Sequence, residues 1–518
     1  MHGKAPLAGV SALLLLALFA CPASAVEWKF TPSVGAQATY TDNANQSHSN
    51  PQDALILSVT PGFSLQSQGS RRVQASLQYG LTGVARFSND NSTNLYHNLG
   101  ASGKAELIDD FLFIDGSAGI SQQLISLLGS PADATTNSAN RTTVGTYSIS
   151  PYIQERFGTF ANAQARYTNS GAIFENNVAA NSTVNSFAAS LNSGTRFTDL
   201  SWGLNYSIRK AENRNAANAA FNANSTFESA SATAGYALTR QFRVFGTVGR
   251  DWNDYLSTSG ISGSSYSAGF GWSPTRRTSV EASVGERYFG RTYSLAGSHQ
   301  SRLSRWTVNY SENVSDITQQ FLAASSRIYW ICSGGLLVST TSTTNPNPAN
   351  CTGPYSAGEV MFMAPSYGVT TADLVAAGVL NVGIANGIFI IKSLNAGVSW
   401  DIRRLGFGLS VQDTRRLYQL FSNAEDRVQG VSGSVSYRLS PQTTASSSLS
   451  LTRNSIDAVL AGGTAREDTI LTFGMGLNRR FTNKLNGALT FRHTQRSSNV
   501  ANADYGENSI TASAFMSF

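Results

Sequence analysis

Charge and cysteine are scarce in this sequence of 518 residues. Charged residues make up 13% of the chain, whereas a soluble domain has about a quarter. Three cysteines in so long a chain exclude a small scaffold held together by many disulfides. Beyond the amino-terminal region, no run approaches the roughly 18 uncharged apolar residues of a spanning helix. If the chain is embedded in a membrane, it must therefore cross with strands.

Histidine is also scarce, and this excludes most catalytic arrangements. After amino-terminal processing the chain would keep His48, His97, His299 and His493, and their spacing places none beside a nucleophile and an acid. The cysteines have no partners at zinc-binding spacing. The net charge of +6 is too diffuse for a nucleic-acid footprint. We therefore expect no enzymatic activity, no metal or other cofactor and no nucleic-acid partner.

The amino-terminus has the layout of a secretory signal peptide. Lys4 precedes an apolar stretch, residues 9–20, and Ala23-Ser24-Ala25 forms a small-residue cleavage site before Val26. We expect residues 1–25 to be removed and residues 26–518 to form the mature protein. A lipoprotein signal ending at Cys21 is the alternative, although Phe19 fits it poorly.

The carboxy-terminal stretch YGENSITASAFMSF alternates between apolar and polar residues, apart from Phe515. Its apolar set is Ile510, Ala512, Ala514 and Met516. A strand between lipid and a wet interior needs this period of two, although an edge strand of a soluble β-sandwich can show it too. The terminal aromatic residue resembles the signal by which bacterial outer-membrane barrels are recognised. We expect Ile510, Met516 and Phe518 to act as that assembly signal.

The same alternation recurs along the chain, with very short and longer polar connections in turn. This predicts an all-β, antiparallel, up-and-down barrel in the bacterial outer membrane, with short periplasmic turns and both termini in the periplasm. Counting gives fourteen strands over residues 28–311 and seven from residue 388. An even total requires one more, for which residues 317–333 are the best candidate. We expect about 22 strands, within a range of roughly 18–24.

Residues 334–387 would then form one long external loop. Its first part is low in complexity, and it continues with the apolar pieces VMFMAPSYG and ADLVAAGVL. A disulfide between Cys332 and Cys351 would stabilise its start by about 3 kcal/mol. Burial of the apolar pieces is favourable, and a barrel this wide needs filling. We expect the loop to fold inward and narrow the pore.

A set of arginines falls on the polar face of the predicted strands. Arginine rings in a pore favour anions, so such a lumen could pass acidic sugars. The alternative is that these arginines pair with Glu281 and loop acids to stiffen the wall. The nine residues expected to line the lumen are Arg86, Arg166, Arg209, Arg287, Arg291, Arg305, Arg416, Arg492 and Arg496.

Two stretches give the chain a family resemblance. Residues 388–419, IFIIKSLNAGVSWDIRRLGFGLSVQDTRRLYQ, and residues 28–43, WKFTPSVGAQATYTDN, resemble the outer-membrane barrel proteins associated with PEP-CTERM/exosortase exopolysaccharide systems. The likeness rests on strand patterns over nearly the whole mature chain. It implies a barrel near polysaccharide export or surface sorting, and it brings no catalytic residues.

Three functions remain open at this stage. The first is export or assembly of an exopolysaccharide, and the others are an anion-preferring diffusion porin and a surface enzyme or adhesin. Siderophore-type uptake ranks last, because its plug domain would have to precede a first strand that starts within about three residues of the expected cleavage site. The expected partners are outer-membrane lipid and lipopolysaccharide, the barrel assembly machinery, acidic polysaccharide and periplasmic export components.

Overall fold

The computed structural model describes most of the chain after the expected signal peptide. The described residues are 26–89, 91–125, 140–175, 180–214, 224–258, 260–325, 327–332, 336–340, 351–355, 360, 374, 387–420, 424–461 and 463–518. The predicted signal peptide and most of the predicted long loop lie outside them.

Twenty-two strands form one closed antiparallel sheet. Each strand pairs with its neighbours in sequence, β15 pairs with β19, and β25 pairs with β1 from Ser33↔Ser517 to Thr41↔Ser509. The predicted all-β barrel of about 22 strands is confirmed. Three more strands form a separate small sheet in the order β17-β16-β18.

The strands are 10 to 17 residues long in the barrel and 5 residues long in the small sheet. Strands β1 to β9 are Glu27–Thr41, Ala54–Gln68, Val73–Phe87, Ser92–Ile108, Leu112–Leu124, Arg141–Phe157, Ala161–Phe174, Asn181–Ser193 and Leu200–Arg214. Strands β10 to β18 are Ser225–Ala237, Phe242–Asp254, Gly263–Thr275, Thr278–Arg287, Gly290–Gln300, Ser304–Asp316, Ile328–Cys332, Leu336–Thr340 and Cys351–Tyr355. Strands β19 to β25 are Ile388–Ile402, Leu405–Tyr418, Glu425–Ser440, Thr443–Ile456, Arg466–Arg480, Leu485–Ser498 and Tyr505–Ser517, and the helices α1 and α2 are Ile317–Ser325 and Ala458–Ala461.

The two ends of the barrel differ in their connections. At one end, here named the turn end, neighbouring strands are joined by two to six residues, and both chain termini lie there. The other end, here named the loop end, carries the longer connections. One exception is the two-residue turn Tyr288–Phe289 between β13 and β14, followed by Gly290 at φ 113°. Outer-membrane barrels place their short turns in the periplasm, which assigns the turn end to that side.

The expected strand at residues 317–333 is wrong, although the expected total is right. Fifteen barrel strands precede residue 317, not fourteen. Residues 317–325 form helix α1, and Ile328–Cys332 belongs to the small sheet. The turn at Tyr288–Phe289 hides one strand boundary from sequence reading, because it is aromatic and contains none of the usual turn residues.

The outer face of the barrel is apolar and the inner face is polar. Val431, Leu451 and Met475 are 48%, 47% and 53% exposed on the outside, as the lipid-facing side of such a barrel requires. On β25, Ile510 is 51% exposed, whereas Ser509 and Thr511 on the inner face are buried. The alternation read from this last strand is therefore present in the structure.

The carboxy-terminal strand completes the ring. Its last backbone N–H, at Phe518, donates to the carbonyl oxygen of Pro32 in β1 at 2.9 Å. The ring of Phe518 is 55% exposed and shares the outward parity of Ile510 and Met516. The three residues expected to form an assembly signal thus face the membrane on the strand that closes the barrel, and their recognition role stays a prediction.

Candidate functional site

Helix α1 starts where β15 ends and lies on the inner wall of the barrel. Asp316 caps it: its Oδ1 accepts the backbone N–H of Gln319 at 2.9 Å. The helix contacts β5, β6 and β7 besides β15. Along the wall, β7 is eight strands away from β15, so the helix touches a distant part of the barrel.

One face of α1 makes these contacts. Ile317 and Phe321, one helical turn apart, pack with Val144, Ala172 and Phe174 of β6 and β7 in a buried cluster. The rings of Phe321 and Phe174 meet edge to face with centroids 5.4 Å apart. The wall residues share the inward parity of their strands, because the outward positions of β6 carry the exposed Ile149 and Ile153. Helix α1 therefore lies inside the lumen.

Two polar contacts hold the start of α1 to other strands. The hydroxyls of Thr318 and Ser182 on β8 are 2.5 Å apart. Arg209 on β9 forms an ion pair with Asp316 at 2.5 Å, and both side chains are largely buried. Strands β9 and β15 are six positions apart along the wall, a separation on the order of 30 Å in a circular barrel of this size. The loop end of β15 must therefore lean across the lumen towards β9.

Burial at the loop ends of β15 and β19 agrees with this lean. Phe389 and Ile390 are adjacent on β19 and point to opposite faces, yet they are 0% and 7% exposed. The connection between β11 and β12 also crosses over these strands, since the N–H of Thr258 donates to the carbonyl oxygen of Gln419 beyond β20 at 2.9 Å. Both faces of the leaning strands are thus covered by protein.

The small sheet is also enclosed. Tyr329, Trp330 and Ile331 of its central strand are 0%, 2% and 2% exposed. Consecutive strand residues point to opposite faces, so both faces of this sheet are covered, which an outward-projecting sheet of three strands would not achieve. Burial raises the pKa of Tyr329 to about 12. Val360 and Leu374, the described residues of the two predicted apolar pieces, are 0% and 7% exposed.

The two cysteines lie on adjacent strands of this sheet. The register of β16 and β18 sets Cys332 directly opposite Cys351. Directly opposed residues of an antiparallel pair have Cα atoms about 4.5–5.5 Å apart, within the range that a disulfide bridges. Their side chains lie outside the described part of the structure, so the disulfide stays a prediction.

Five of the nine arginines predicted to line the lumen form ion pairs with carboxylates. Their carboxylate partners lie on other strands; four share the inner face, and the fifth, Asp316 at the end of β15, has the parity of the outward-facing Trp306. The pairs are Arg166–Asp115 at 2.8 Å, Arg209–Asp316 at 2.5 Å, Arg287–Asp251 at 2.8 Å, Arg416–Asp426 at 2.7 Å and Arg496–Asp468 at 2.5 Å. In the three largely buried pairs, those of Arg209, Arg416 and Arg496, removing one partner costs about 3–5 kcal/mol. These arginines form ion pairs, as the alternative interpretation expected, but their partners are strand aspartates and not Glu281 or loop acids. Glu281 pairs instead with Arg243.

The other four predicted arginines differ in position. Arg86 and Arg492 lie on the inner face and are engaged in further contacts. Arg305 is exposed on the inner face near the turn end. Arg291 departs from the expectation: it pairs with Glu286 in register and shares the outward face of Tyr293 and Val284. The turn at Tyr288–Phe289 reverses the chain between Arg287 and Arg291, so their spacing of four does not place them on one face.

Charge is distributed unequally between the two ends of the barrel. The ten turns hold three acids, Asp109, Asp110 and Asp199, against ten cations. The described residues of the loop-end connections hold one cation, Arg327, against five acids. The ten turn cations, all exposed, are Arg71, Arg72, Arg196, Arg240, Arg276, Arg277, Arg302, Arg403, Arg404 and Lys484. The acids of the loop-end connections are Asp42, Asp53, Glu175, Asp457 and Asp504.

The histidines do not form a catalytic group in the described chain. His97, His299 and His493 bond to the side chains of Tyr79, Thr278 and Asn508, at 2.7, 2.8 and 2.8 Å. Among the described residues, no group of three or more His, Cys, Asp or Glu side chains could hold a metal ion. None of the described helices is long and apolar enough to cross a membrane.

Sequence reasoning missed Asp316, Phe321 and their wall partners, because residues 317–333 read as a strand. The signal was present. Asp316 followed by Gln319 matches the capping-box spacing, and Ile317 with Phe321 gives an apolar pair one helical turn apart. Which wall the helix would meet could not be read from the sequence.

The fold and its two faces define the class of protein: this is an outer-membrane β-barrel of the bacterial envelope. No family model and no curated protein matches the sequence. The siderophore receptor PirA from Acinetobacter baumannii is similar in structure, with a TM-score of 0.49, 9% identity, and coverage of 96% of this chain and 81% of that one. For the FrpB iron transporter from Neisseria meningitidis the TM-score is 0.49, the identity 10%, and the coverage 94% and 82%. A mutant of the ferric enterobactin receptor PfeA from Pseudomonas aeruginosa has a TM-score of 0.48 and 10% identity, with coverage of 94% of this chain and 81% of that one. Likenesses at this level do not indicate what the chain binds or transports.

Proposed function

We propose that this barrel is a gated passage for an acidic polysaccharide, and that it serves exopolysaccharide export or assembly. The observation that carries the proposal is the position of α1 inside the lumen, on the inner wall of β5 to β8. A barrel that must pass a polymer without leaking needs a closure that can be released.

The contacts of α1 suit a closure that opens. Its attachment to the wall consists of one apolar face, the contact between Thr318 and Ser182, and the ion pair between Asp316 and Arg209. The opposite face, with Gln319 and Ala323, is exposed. An interface of this size can be released without unfolding the barrel, whose strands are joined into one closed sheet by backbone hydrogen bonds.

The inner wall supports a carbohydrate as the transported class. Hydroxyl side chains on neighbouring strands bond to each other across the inner face, so the wall offers many sites that both donate and accept hydrogen bonds, as sugar hydroxyls do. Examples are Ser150–Thr168 at 2.8 Å, Thr233–Thr247 at 2.9 Å and Ser410–Ser432 at 2.7 Å. The resemblance of residues 388–419 to barrels of PEP-CTERM/exosortase systems supports an exopolysaccharide.

Deletion of residues 335–385 leaves α1 in place and tests what the small sheet, Val360 and Leu374 contribute to the closure. We expect single-channel conductance to rise severalfold, because the deletion removes β17, β18 and the buried Val360 and Leu374. Deletion of the exposed Ala501 and Asn502, in the loop-end connection between β24 and β25, is the control and should leave conductance unchanged. Unchanged conductance in the first deletion would place the segment outside the lumen and favour a partner-binding role.

The conductance of the intact protein distinguishes this proposal from the alternative, an anion-preferring diffusion porin. A porin would show steady conductance and anion preference in the full chain. The covered loop ends of β15 and β19 and the enclosed small sheet favour a closed resting state instead. Steady conductance of the full chain in a planar bilayer would support the porin.

A further inference from the structure

The turn end of the barrel carries cations that the folding of the barrel does not use. Of the ten exposed turn cations, Arg72 alone forms an ion pair among the described residues, with Asp109. Arg276 and Arg277 form one whole turn, and Arg403 and Arg404 form another. Like charges placed side by side are unfavourable in isolation, so these doublets suit a surface that meets an anion.

The positive charge continues from the turns into the lumen. Near the turn end, the strand register places Lys104, Arg156, Arg305 and Arg480 on the inner face, where each is exposed. Arg479, by contrast, lies on the outer face. The ammonium of Lys104 also lies 5.3 Å from the ring centre of Phe113 on the same inner wall. Membrane lipid does not reach this inner face, so these cations point to a ligand that enters the lumen.

We infer that the turn end is a capture site for a linear polyanion, an acidic polysaccharide of the uronate class, arriving from the periplasm. This inference rests on the proposed function and adds the side from which the polymer approaches and the groups that bind it. Guanidinium groups bind carboxylates through two parallel hydrogen bonds, and a ring of them raises the local concentration of a polyanion. The loop end, whose described connections carry more acids than cations, would repel the same polymer.

The direction of transport follows from this charge distribution. A polyanion meets an attractive field at the periplasmic end and a repulsive one outside, so the barrel favours loading from the periplasm. Anionic phospholipid of the inner leaflet is the competing ligand for the turn cations. It accounts for the turns but not for the cations on the inner face.

Binding to the full-length protein in nanodiscs of zwitterionic lipid tests the inference. The probe is a fluorescent oligogalacturonate of about ten units, and a maltodextrin of equal length is the neutral control. Raising salt from about 0.1 M to about 1 M shortens the Debye length from about 10 Å to about 3 Å and should weaken acidic-probe binding more than tenfold. The neutral probe should show neither the binding nor its salt dependence.

Two matched double variants locate the site. R276S/R277S and R403S/R404S each remove two exposed cations from the turn end, and each should weaken binding about fivefold. K210S/R214S removes two exposed cations from the loop end of β9 and should leave binding unchanged. Equal losses in all three variants, or none in the turn variants, would overturn the inference.

A second set of nanodiscs, which contain anionic phospholipid, distinguishes lipid binding from polysaccharide binding at the turn cations. Nanodiscs with anionic phospholipid raise the melting temperature if the turn cations bind headgroups. If only that rise is lost in the turn variants, while probe binding stays, the cations bind lipid and the inference fails. The proposed passage fails on a different result, unchanged conductance after deletion of residues 335–385.

Discussion

Phe321 is the largest apolar side chain of α1, and replacing it with alanine is the most direct test of the lumen closure. Its side chain is 3% exposed and packs against Phe174 with ring centroids 5.4 Å apart. A buried Phe→Ala change costs about 3–5 kcal/mol in a fully enclosed core. The opposite face of α1 is exposed, so the lower end of that range applies here.

A loss of about 3 kcal/mol in the closed state alone raises the ratio of open to closed barrels by a factor on the order of 100. The barrel wall is unaffected, because Phe321 belongs to none of its strands. Single-channel recordings of Phe321→Ala should therefore show frequent large openings that are rare in the unchanged protein. Gln319→Ala, on the exposed face of the same helix, is the matched control and should behave like the unchanged protein.

The result that refutes this reasoning is an unchanged opening frequency in Phe321→Ala, provided that the variant still migrates as a folded, heat-modifiable barrel. Such a result would mean that α1 does not limit conduction. The constriction would then have to lie elsewhere in the lumen.

Three further predictions use other parts of the structure. Asp316→Asn keeps a helix cap but loses the charge that pairs with Arg209, whereas Asp316→Ala loses both. The opening frequency should therefore rise in Asp316→Asn and rise further in Asp316→Ala. Equal effects of the two variants would assign the whole role to the charge. Under oxidising conditions a thiol assay on the denatured protein should find Cys332 and Cys351 blocked until a reductant is added, and two free thiols without reductant would exclude the disulfide. Deleting Phe518 should reduce the yield of heat-modifiable barrel severalfold, because the carboxy-terminal strand both closes the ring and presents its end; a normal yield would remove its role in assembly.

The strands themselves could be predicted because their pattern is local. Alternation along residues 510–516 or within β3 is imposed by lipid on one side and water on the other, and it is visible without any knowledge of neighbours. The short turns with paired arginines are equally local. The missed boundary at Tyr288–Phe289 lacks turn chemistry, and the reversal of the chain there is what moves Arg291 to the outer face.

The closure could not be predicted to the same extent, because it depends on contacts between distant strands. The sequence contains the cap and the apolar pair of α1, but not the information that β15 leans towards β9. Arg209 and Asp316 are 107 residues apart and six strands apart along the wall. Their pairing is set by the shape of the whole ring, which emerges only when all strands are closed. The same limit explains why the arginines could be placed on one face but not assigned their aspartate partners.

The closure and the charged turn end together decide how the barrel could be opened. Moving α1 off the wall exposes the apolar residues Val144, Ala172 and Phe174. A hydrated polyanion stabilises these exposed side chains no more than water does. A polysaccharide held at the turn end therefore gives no differential binding energy for the open state, and a ligand without such a difference cannot shift the equilibrium. Under the proposed function, opening would then be driven by contacts that the polymer does not make, such as those of a periplasmic export component with the barrel. Acidic oligosaccharide alone should accordingly bind the full-length protein without raising its conductance, and conductance that rises with oligosaccharide alone would show that the polymer itself operates the gate.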